Sequence, residues 1–231
     1  MDTYAIRNTG APVGARCVPG ERQVGVGSSH LPDGRAAGRQ AVEDARNTAE
    51  PALVVVLASS YLDHRGMLAG IREILPDVPL IGCTTAGEIA ASGPGESGVV
   101  VLVLSGDGFS VATGLGEIVD GDLRSAAATA ARCVDAVEER TNKVLLLLSD
   151  GLAGDQQEVV RGAYQQVGAG IPLVGGCAGD DIGMERTHQF FGGRVLGSSI
   201  VAAAIASDGP LGIGVRHGWH PVGEPMSITE S

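Results

Sequence analysis

Two short segments of the chain carry small hydroxyl groups, glycines and carboxylates at matching positions. Residues 79–88 read PLIGCTTAGE, and residues 172–180 repeat the pattern as PLVGGCAGD. Backbone amides in glycine-rich turns can bind an anion, and carboxylates can bind an ammonium group. A chain that builds this unit twice therefore favours one binding site assembled from two halves.

The candidate ligand-binding residues lie in three loops that follow predicted buried strands, with one arginine just beyond the last loop. Ligand sites of α/β proteins lie at the carboxyl ends of parallel strands, where these loops would meet. Glycine amides, hydroxyls, carboxylates and a guanidinium together suit a zwitterion such as an amino acid. The predicted site consists of Cys83, Thr84, Thr85, Gly87, Glu88, Asp150, Gly154, Asp155, Gly179, Asp180, Asp181 and Arg186.

Several of these residues also have a purely structural explanation. Asp155 suits the N-cap of a following helix, and Asp150 suits a turn. Arg186 either pairs with Asp180 or Asp181 to hold their turn, or binds a ligand carboxylate. The glycines of these loops are also expected wherever the backbone needs a positive φ. Both explanations stay open from the residues alone.

Apolar runs and helical spacing show which elements must position these loops. An unbroken apolar run such as residues 52–57 is typical of a strand covered on both faces, often in a parallel sheet. Strands are predicted at residues 23–27, 52–57, 79–82, 98–104, 109–114, 144–148, 172–175, 186–191, 194–206 and 211–217. Helices are predicted at residues 35–49, capped by Asp33, and at 65–75, 122–140 and 156–167.

The order of these elements predicts the fold class. It is α/β, with mixed parallel and antiparallel sheets built from two repeated β-α-β-plus-hairpin units of pseudo-twofold character. In the first unit, residues 98–104 and 109–114 are expected to form a β-hairpin. The repeat halves are placed at about residues 23–118 and 119–231, after a flexible tail over residues 1–22.

The composition argues against several function classes. A formal charge of −11 disfavours a surface for nucleic acid or an anionic membrane, because both need clustered Lys and Arg. The chain has no apolar run of about 18 residues and no secretory signal, so a cytoplasmic location is expected. Common hydrolase, nucleotide-binding and metal-ligand motifs are missing. We therefore expect no cofactor, no metal and no catalytic residues.

Four separated segments resemble the N-terminal module of the FIST domain family. They are residues 79–88, residues 148–155 (LSDGLAGD), residues 172–187 (PLVGGCAGDDIGMERT) and residues 218–225 (GWHPVGEP). The resemblance covers roughly residue 23 to the end. It implies a cytoplasmic sensory domain that binds small ligands such as amino acids and is joined to output modules. In the family the last segment leads into a C-terminal module, which we expect to be absent here, with a separate signalling output protein as a partner.

Three hypotheses follow. The first is a non-catalytic sensory module that binds a small ligand, an amino acid or small carboxylate, in signal transduction. The second is an enzyme that holds a divalent metal with its Asp-rich loops, since carboxylate oxygens are the ligands of Mg²⁺ and Mn²⁺. The third is an interaction subunit that docks a separate module on an unpaired strand edge.

Overall fold

The chain contains two stretches in which strands and helices alternate, and each is followed by a run of consecutive strands. A computed structural model describes residues 22–91, 93–95, 97–215, 218, 220, 222, 223 and 227. Residues 1–21 of the predicted tail lie outside the described residues. Residues 219, 221, 224 and 225 of the 218–225 segment lie outside them too. The helices are α1 (Gly34–Ala45), α2 (His64–Ile74), α3 (Leu123–Ala131) and α4 (Gln156–Val167). The strands are β1 (Gln23–Ser29), β2 (Pro51–Ser59), β3 (Leu80–Thr85), β4 (Glu88–Ala90), β5 (Gly93–Gly95), β6 (Val99–Ser105), β7 (Phe109–Glu117), β8 (Asn142–Ser149), β9 (Leu173–Cys177), β10 (Gln189–Phe191), β11 (Arg194–Leu196) and β12 (Ser199–Ser207).

The strands form two large sheets and one small one. The first large sheet has the order β1-β6-β2-β3-β10-β11, and the second has the order β7-β12-β8-β9. Only β2–β3 and β8–β9 run parallel in these sheets, and the other pairs are antiparallel. β4 and β5 form a separate two-stranded sheet. The α/β fold class with mixed sheets is therefore confirmed, whereas the duplication and its pseudo-twofold axis stay predictions.

The two large sheets pack face to face, with helices on their outer faces. The strand β12 shows why, because all nine of its residues are buried. Successive side chains of a strand point to opposite faces, so a strand covered on both faces is apolar throughout. The residues that face α3 and α4 are Ile200, Ala202 and Ala204. Those that face the first sheet are Val201, Ala203 and Ile205.

The first sheet divides its side chains in the same way. Val54, Val56 and Ala58 of β2 pack with residues of α1 and α2. Leu53 of the same strand and Ile81 of β3 instead join the core between the sheets. Burial of these alternating aliphatic side chains, at roughly 25 cal/mol for each Å² of apolar surface, is the main force that holds the four layers together.

The predicted hairpin between residues 98–104 and 109–114 is wrong. β6 pairs on one side with β1 and on the other with β2, so it has no free edge for β7. β7 instead pairs with β12 in the second sheet. The turn at Gly106, with φ of 105°, carries the chain from one sheet to the other. The sequence pattern identified both strands but did not show that the turn crosses between layers.

Several predicted element boundaries also need correction. The predicted strand at 211–217 does not form over residues 211–215, and the last two positions lie outside the described residues. The predicted strand at 194–206 is divided into β11 and β12 at Ser198, whose φ is 45°. The helix predicted to reach residue 140 ends at Ala131 and continues as a short 3-10 helix, Arg132–Ala136. The helix predicted to reach residue 49 ends at Ala45.

Candidate functional site

The parallel strands β2 and β3 end side by side, and a loop from the second sheet reaches the same place. Ser59 and Thr85 are paired at the carboxyl ends of the two strands. The amide of Gly179, in the loop after β9, donates to the carbonyl of Thr84 over 2.9 Å. Segments from both predicted halves therefore meet at one edge of the first sheet.

A cavity of about 530 Å³ opens at this edge. Among the described residues, its wall combines one carboxylate, one phenol, one serine hydroxyl and several small or apolar residues, without a basic side chain. The lining residues are Tyr61, Ala86, Gly87, Pro94, Gly95, Ser97, Asp181 and Ile182. Of the predicted site residues, only Gly87 and Asp181 are in this wall.

Asp181 presents a partly satisfied carboxylate to the cavity. Its Oδ2 accepts a hydrogen bond from the Ser60 hydroxyl over 2.8 Å and lies 3.4 Å from the Ser59 hydroxyl. Its Oδ1 has no hydrogen-bond partner within the described part of the chain. Two serines thus fix the orientation of the carboxylate and leave one oxygen for a ligand.

Tyr61 and Ile182 form the exposed apolar part of the wall. The Tyr61 side chain is 75% exposed, and that of Ile182 is 88% exposed. An aromatic ring beside a carboxylate suits a cationic group, because the ring face and the carboxylate both attract positive charge. The cavity therefore has the chemistry to bind an ammonium group.

Asp180, the neighbour of Asp181, holds the loop in shape. It accepts hydrogen bonds from the backbone amides of Met184, Glu185 and Arg186 over 2.9, 2.7 and 3.0 Å. These donors, that of Glu185 above all, lower the pKa of the Asp180 carboxyl below its usual value. The loop needs such support because Ile182, a β-branched residue, has a φ of 77°.

Thr84 and Glu88 serve the structure at this edge. The Thr84 hydroxyl accepts from the amide of His188 over 3.0 Å. Glu88 is buried and accepts from the Thr85 hydroxyl over 2.7 Å and from the amide of Gly98 over 3.0 Å. These hydrogen bonds tie β3 to its neighbours. The predicted residues Thr84, Thr85 and Glu88 therefore have structural roles and are not in the cavity wall.

A second cavity of about 340 Å³ contains the predicted residues Asp150 and Arg186. Asp150 is buried, and its carboxylate accepts from the amide of Leu152 over 2.9 Å, the hydroxyl of Thr187 over 2.7 Å and the amide of Ser198 over 3.2 Å. Within the described ranges, the guanidinium of Arg186 makes no ion pair. Of its two predicted roles, pairing with Asp180 or Asp181 is therefore wrong.

The remaining predicted residues lie in neither cavity. Cys83 is buried in the core between the sheets, and burial, with Cys177 nearby, raises the pKa of its thiol to about 12. Asp155 is the N-cap of α4 and accepts from the amide of Gln157 over 2.9 Å. Gly154, with φ of 119°, forms the turn before that helix. Gly179 lies against Ala86, where a Cβ would approach the Ala86 nitrogen to 3.0 Å.

The structure adds residues that sequence reasoning did not select. Ser60 and Tyr61 follow β2 directly, so their position at a strand end was a usable signal. Ser97 and Ile182 carried no such signal, because only the fold brings them to the cavity.

His188 is a further addition at this edge. Its ring lies 5.1 Å from that of His64, and its buried Nδ1 has no hydrogen-bond partner. Burial, followed by the charges of His64 and Arg186, lowers the pKa of the His188 imidazole.

Two further features of the described structure bear on the function. Over the part of the chain that the structure covers, no group of three or more His, Cys, Asp or Glu side chains is placed to hold a metal ion. None of the helices described above combines the length and hydrophobicity needed to cross a bilayer.

Comparison with known proteins completes the description. The FIST N domain matches residues 52–231. No curated protein matches the chain. Among solved structures, the crystal structure of a cyanuric acid hydrolase from A. caulinodans is similar at 13% sequence identity with a TM-score of 0.44, over 82% of this chain and 72% of that one. FIST domains are sensory domains of signal transduction. Because the family match spans most of its length, the chain belongs to the FIST family.

Proposed function

We propose that this FIST domain is a cytoplasmic, non-catalytic sensory module that binds a small ligand through a positively charged amino group. The ligand occupies the cavity at the ends of β2 and β3. The observation that carries the proposal is the Asp181 carboxylate, which is in the cavity wall, is oriented by two serines and has a second oxygen without a hydrogen-bond partner among the described residues. An ammonium group would donate to that oxygen and lie near the ring of Tyr61.

The charges around the cavity support an amine over an anion. The described residues of the wall include a carboxylate and no basic side chain, and the whole chain carries a formal charge of −11. A charge-assisted hydrogen bond contributes roughly 1.5–3 kcal/mol, and a cation over an exposed aromatic ring adds roughly 0.5–1 kcal/mol. Amino acids and simple amines both offer this group.

A small carboxylate in the second cavity is the alternative ligand. The observation that favours it is the Arg186 guanidinium, which makes no ion pair with any described residue and lines that cavity. Asp150, in the same wall, already accepts three hydrogen bonds. The described wall of the second cavity therefore holds a guanidinium, which the described wall of the first cavity lacks, together with the carboxylates of Asp150 and Glu185.

Thermal shift measurements test the proposal. The panel contains free amino acids, the amines that result from their decarboxylation, and their N-acetyl derivatives, which lack the positive charge. Binding to the native state adds RT ln(1 + [L]/Kd), about 2.7 kcal/mol at a concentration of 100 Kd. We expect the amino acids or the amines to raise the Tm and the N-acetyl compounds to leave it unchanged.

Two variants assign the effect to a cavity. Asp181→Asn should reduce the shift by about half or more, because binding about 10-fold weaker lowers the added stability at the same ligand concentration. Asp155→Asn is the matched control, because Asn caps a helix as well as Asp does. A shift that Asp181→Asn retains and Arg186→Gln removes would instead place a carboxylate in the second cavity. If no compound at millimolar concentration changes the Tm, the proposed ligand class is wrong.

A further inference from the structure

The two large sheets share a strand order, a helix arrangement and a pattern of close contacts. The order β1-β6-β2-β3 corresponds to β7-β12-β8-β9, and each set carries two helices on its outer face. In the first sheet a Cβ on Gly27 would lie 2.1 Å from the carbonyl oxygen of Ala41 in α1. In the second sheet a Cβ on Gly116 would lie 1.9 Å from that of Ala126 in α3. Each of the four strands of the second sheet thus has a counterpart in the first sheet.

The counterparts β3 and β9 differ at their outer edges. β3 pairs with β10 in antiparallel orientation, with Gly82 opposite Phe190. β9 pairs with β8 and has no strand on its other side among the residues described, and Gly175–Cys177 are exposed. The edges at β1 and β7 are alike in both sheets, so the difference is confined to β9.

Gly82 of β3 and Gly175 of β9 occupy equivalent positions, and they differ in whether a side chain packs on them. At Gly82 a Cβ would meet the carbonyl of Val56 at 2.2 Å and the ring of Phe190 at 2.9 Å, so that ring packs on the glycine. At Gly175 a Cβ would meet the carbonyl of Leu147 at 1.8 Å, the three nearest atoms all belong to the Leu147 backbone, and the glycine is exposed. An apolar cavity of about 230 Å³ opens there, bordered by Val160, which is 48% exposed.

The strands β4 and β5 have the same position in the first half of the chain as the strands that cover β3 have in the second half. The strands β10 and β11, which cover β3, connect β9 to β12. The equivalent connection in the first half, between β3 and β6, holds β4 and β5. These two strands pair only with each other in the described structure, and Ile89 of β4 is 80% exposed.

We propose that a second copy of the chain places its β4 antiparallel to β9, with Ile89 over Gly175 as Phe190 lies over Gly82. Because each copy has one such strand and one such edge, a twofold arrangement closes both contacts at once. Backbone hydrogen bonds to β9 and an apolar anchor are the usual means by which a strand adds to a sheet edge. The inference is drawn from the strand edges alone, so it does not depend on the proposed ligand.

Sedimentation and light scattering of the full chain over a range of concentrations test the proposal. We expect the wild type to reach twice its chain mass of 23.3 kDa as the concentration rises. Ile89→Asp on the strand and Val160→Asp beside the edge should each weaken the dimer by at least 10-fold. Val119→Asp is the control. Val119 is 63% exposed, and it follows β7, which is the edge strand on the other side of the second sheet from β9.

Hydrogen exchange then locates the contact. The amides of Gly175–Cys177 should exchange slowly in the wild-type dimer and fast in Ile89→Asp, whose circular dichroism should match that of the wild type. If Ile89→Asp fails to fold, Val160→Asp provides the same comparison. A monomer at all concentrations, or a dimer that neither variant weakens, would overturn the proposal. Slow exchange of these amides in a monomer would also overturn it, because another segment of the same chain would then cover β9.

Discussion

The adjacent residues Asp180 and Asp181 have different roles in the candidate site. Asp180 uses its carboxylate on three backbone amides, whereas Asp181 is oriented by two serines and keeps one oxygen for the cavity. The strained φ of Ile182, next along the chain, shows that the loop depends on such support. We therefore assign Asp180 to the shape of the site and Asp181 to recognition.

This division predicts a pH-dependent effect of Asp180→Asn. The folded-state pKa of Asp180 is below its usual value, so its contribution to stability is present above the unfolded pKa of about 3.9 and is lost as the pH falls through the folded value. The variant should have a lower Tm than the wild type at pH 7, and the two should converge in strong acid. A Tm difference that stays constant down to pH 2 would contradict the assigned role.

At the scale of elements, close packing of strands on helices depends on glycine. Gly27 in β1 lets the strand approach α1 until backbone meets backbone. We expect Gly27→Ala to destabilise the fold by an amount near the upper end of the roughly 1–3 kcal/mol typical of overpacking, because the nearest atoms belong to the helix backbone and cannot turn away. Urea unfolding measures this change.

Gly170→Ala is the matched control for that variant. A Cβ on Gly170 has no atom within 4 Å, so this substitution should change the free energy of unfolding by less than about 0.5 kcal/mol. Equal effects of the two substitutions would show that strand–helix distance does not limit stability.

Periodicity predicted the elements better than it predicted their partners. The helix at 156–167 matches α4 at both ends, Asp33 caps α1 as expected, and the buried run at 52–57 lies within β2. The hairpin failed because strand pairing depends on which edges remain free, and β6 has none. The candidate loops were located correctly at strand ends, yet Thr84 and Glu88 face inward. Side-chain direction at a strand end depends on register, which local sequence does not specify.

At the scale of the whole molecule, burial in the cores controls thiol chemistry, with Cys83 between the two sheets and Cys133 between the second sheet and its helices. Burial raises the pKa of Cys83 to about 12 and that of Cys133 to about 11, whereas Cys177 is exposed. We expect iodoacetamide to modify Cys177 in the native protein and the two buried thiols only after unfolding. Peptide mass spectrometry would show fast modification of Cys83 if the two sheets were loosely packed.

The same two thiols predict a loss of stability in alkali. Their folded-state pKa values are raised, so their contribution is full below the unfolded value of about 8.5 and is lost as the pH rises toward 11 and 12. The unfolded chain ionises first and is favoured by about 1.4 kcal/mol for each thiol and each pH unit in that range. Cys83→Ala should flatten the decline in urea unfolding between pH 9 and pH 11. An unchanged slope would contradict the assignment.

Calorimetric titration with the amine or amino acid that gives the largest thermal shift tests the central claim most directly. We expect measurable binding to the wild type and to Asp155→Asn. Binding to Asp181→Asn should be weaker by about 10-fold to 100-fold, which corresponds to the loss of one charge-assisted hydrogen bond. Equal dissociation constants for the wild type and Asp181→Asn would contradict the claim that this carboxylate recognises the ligand.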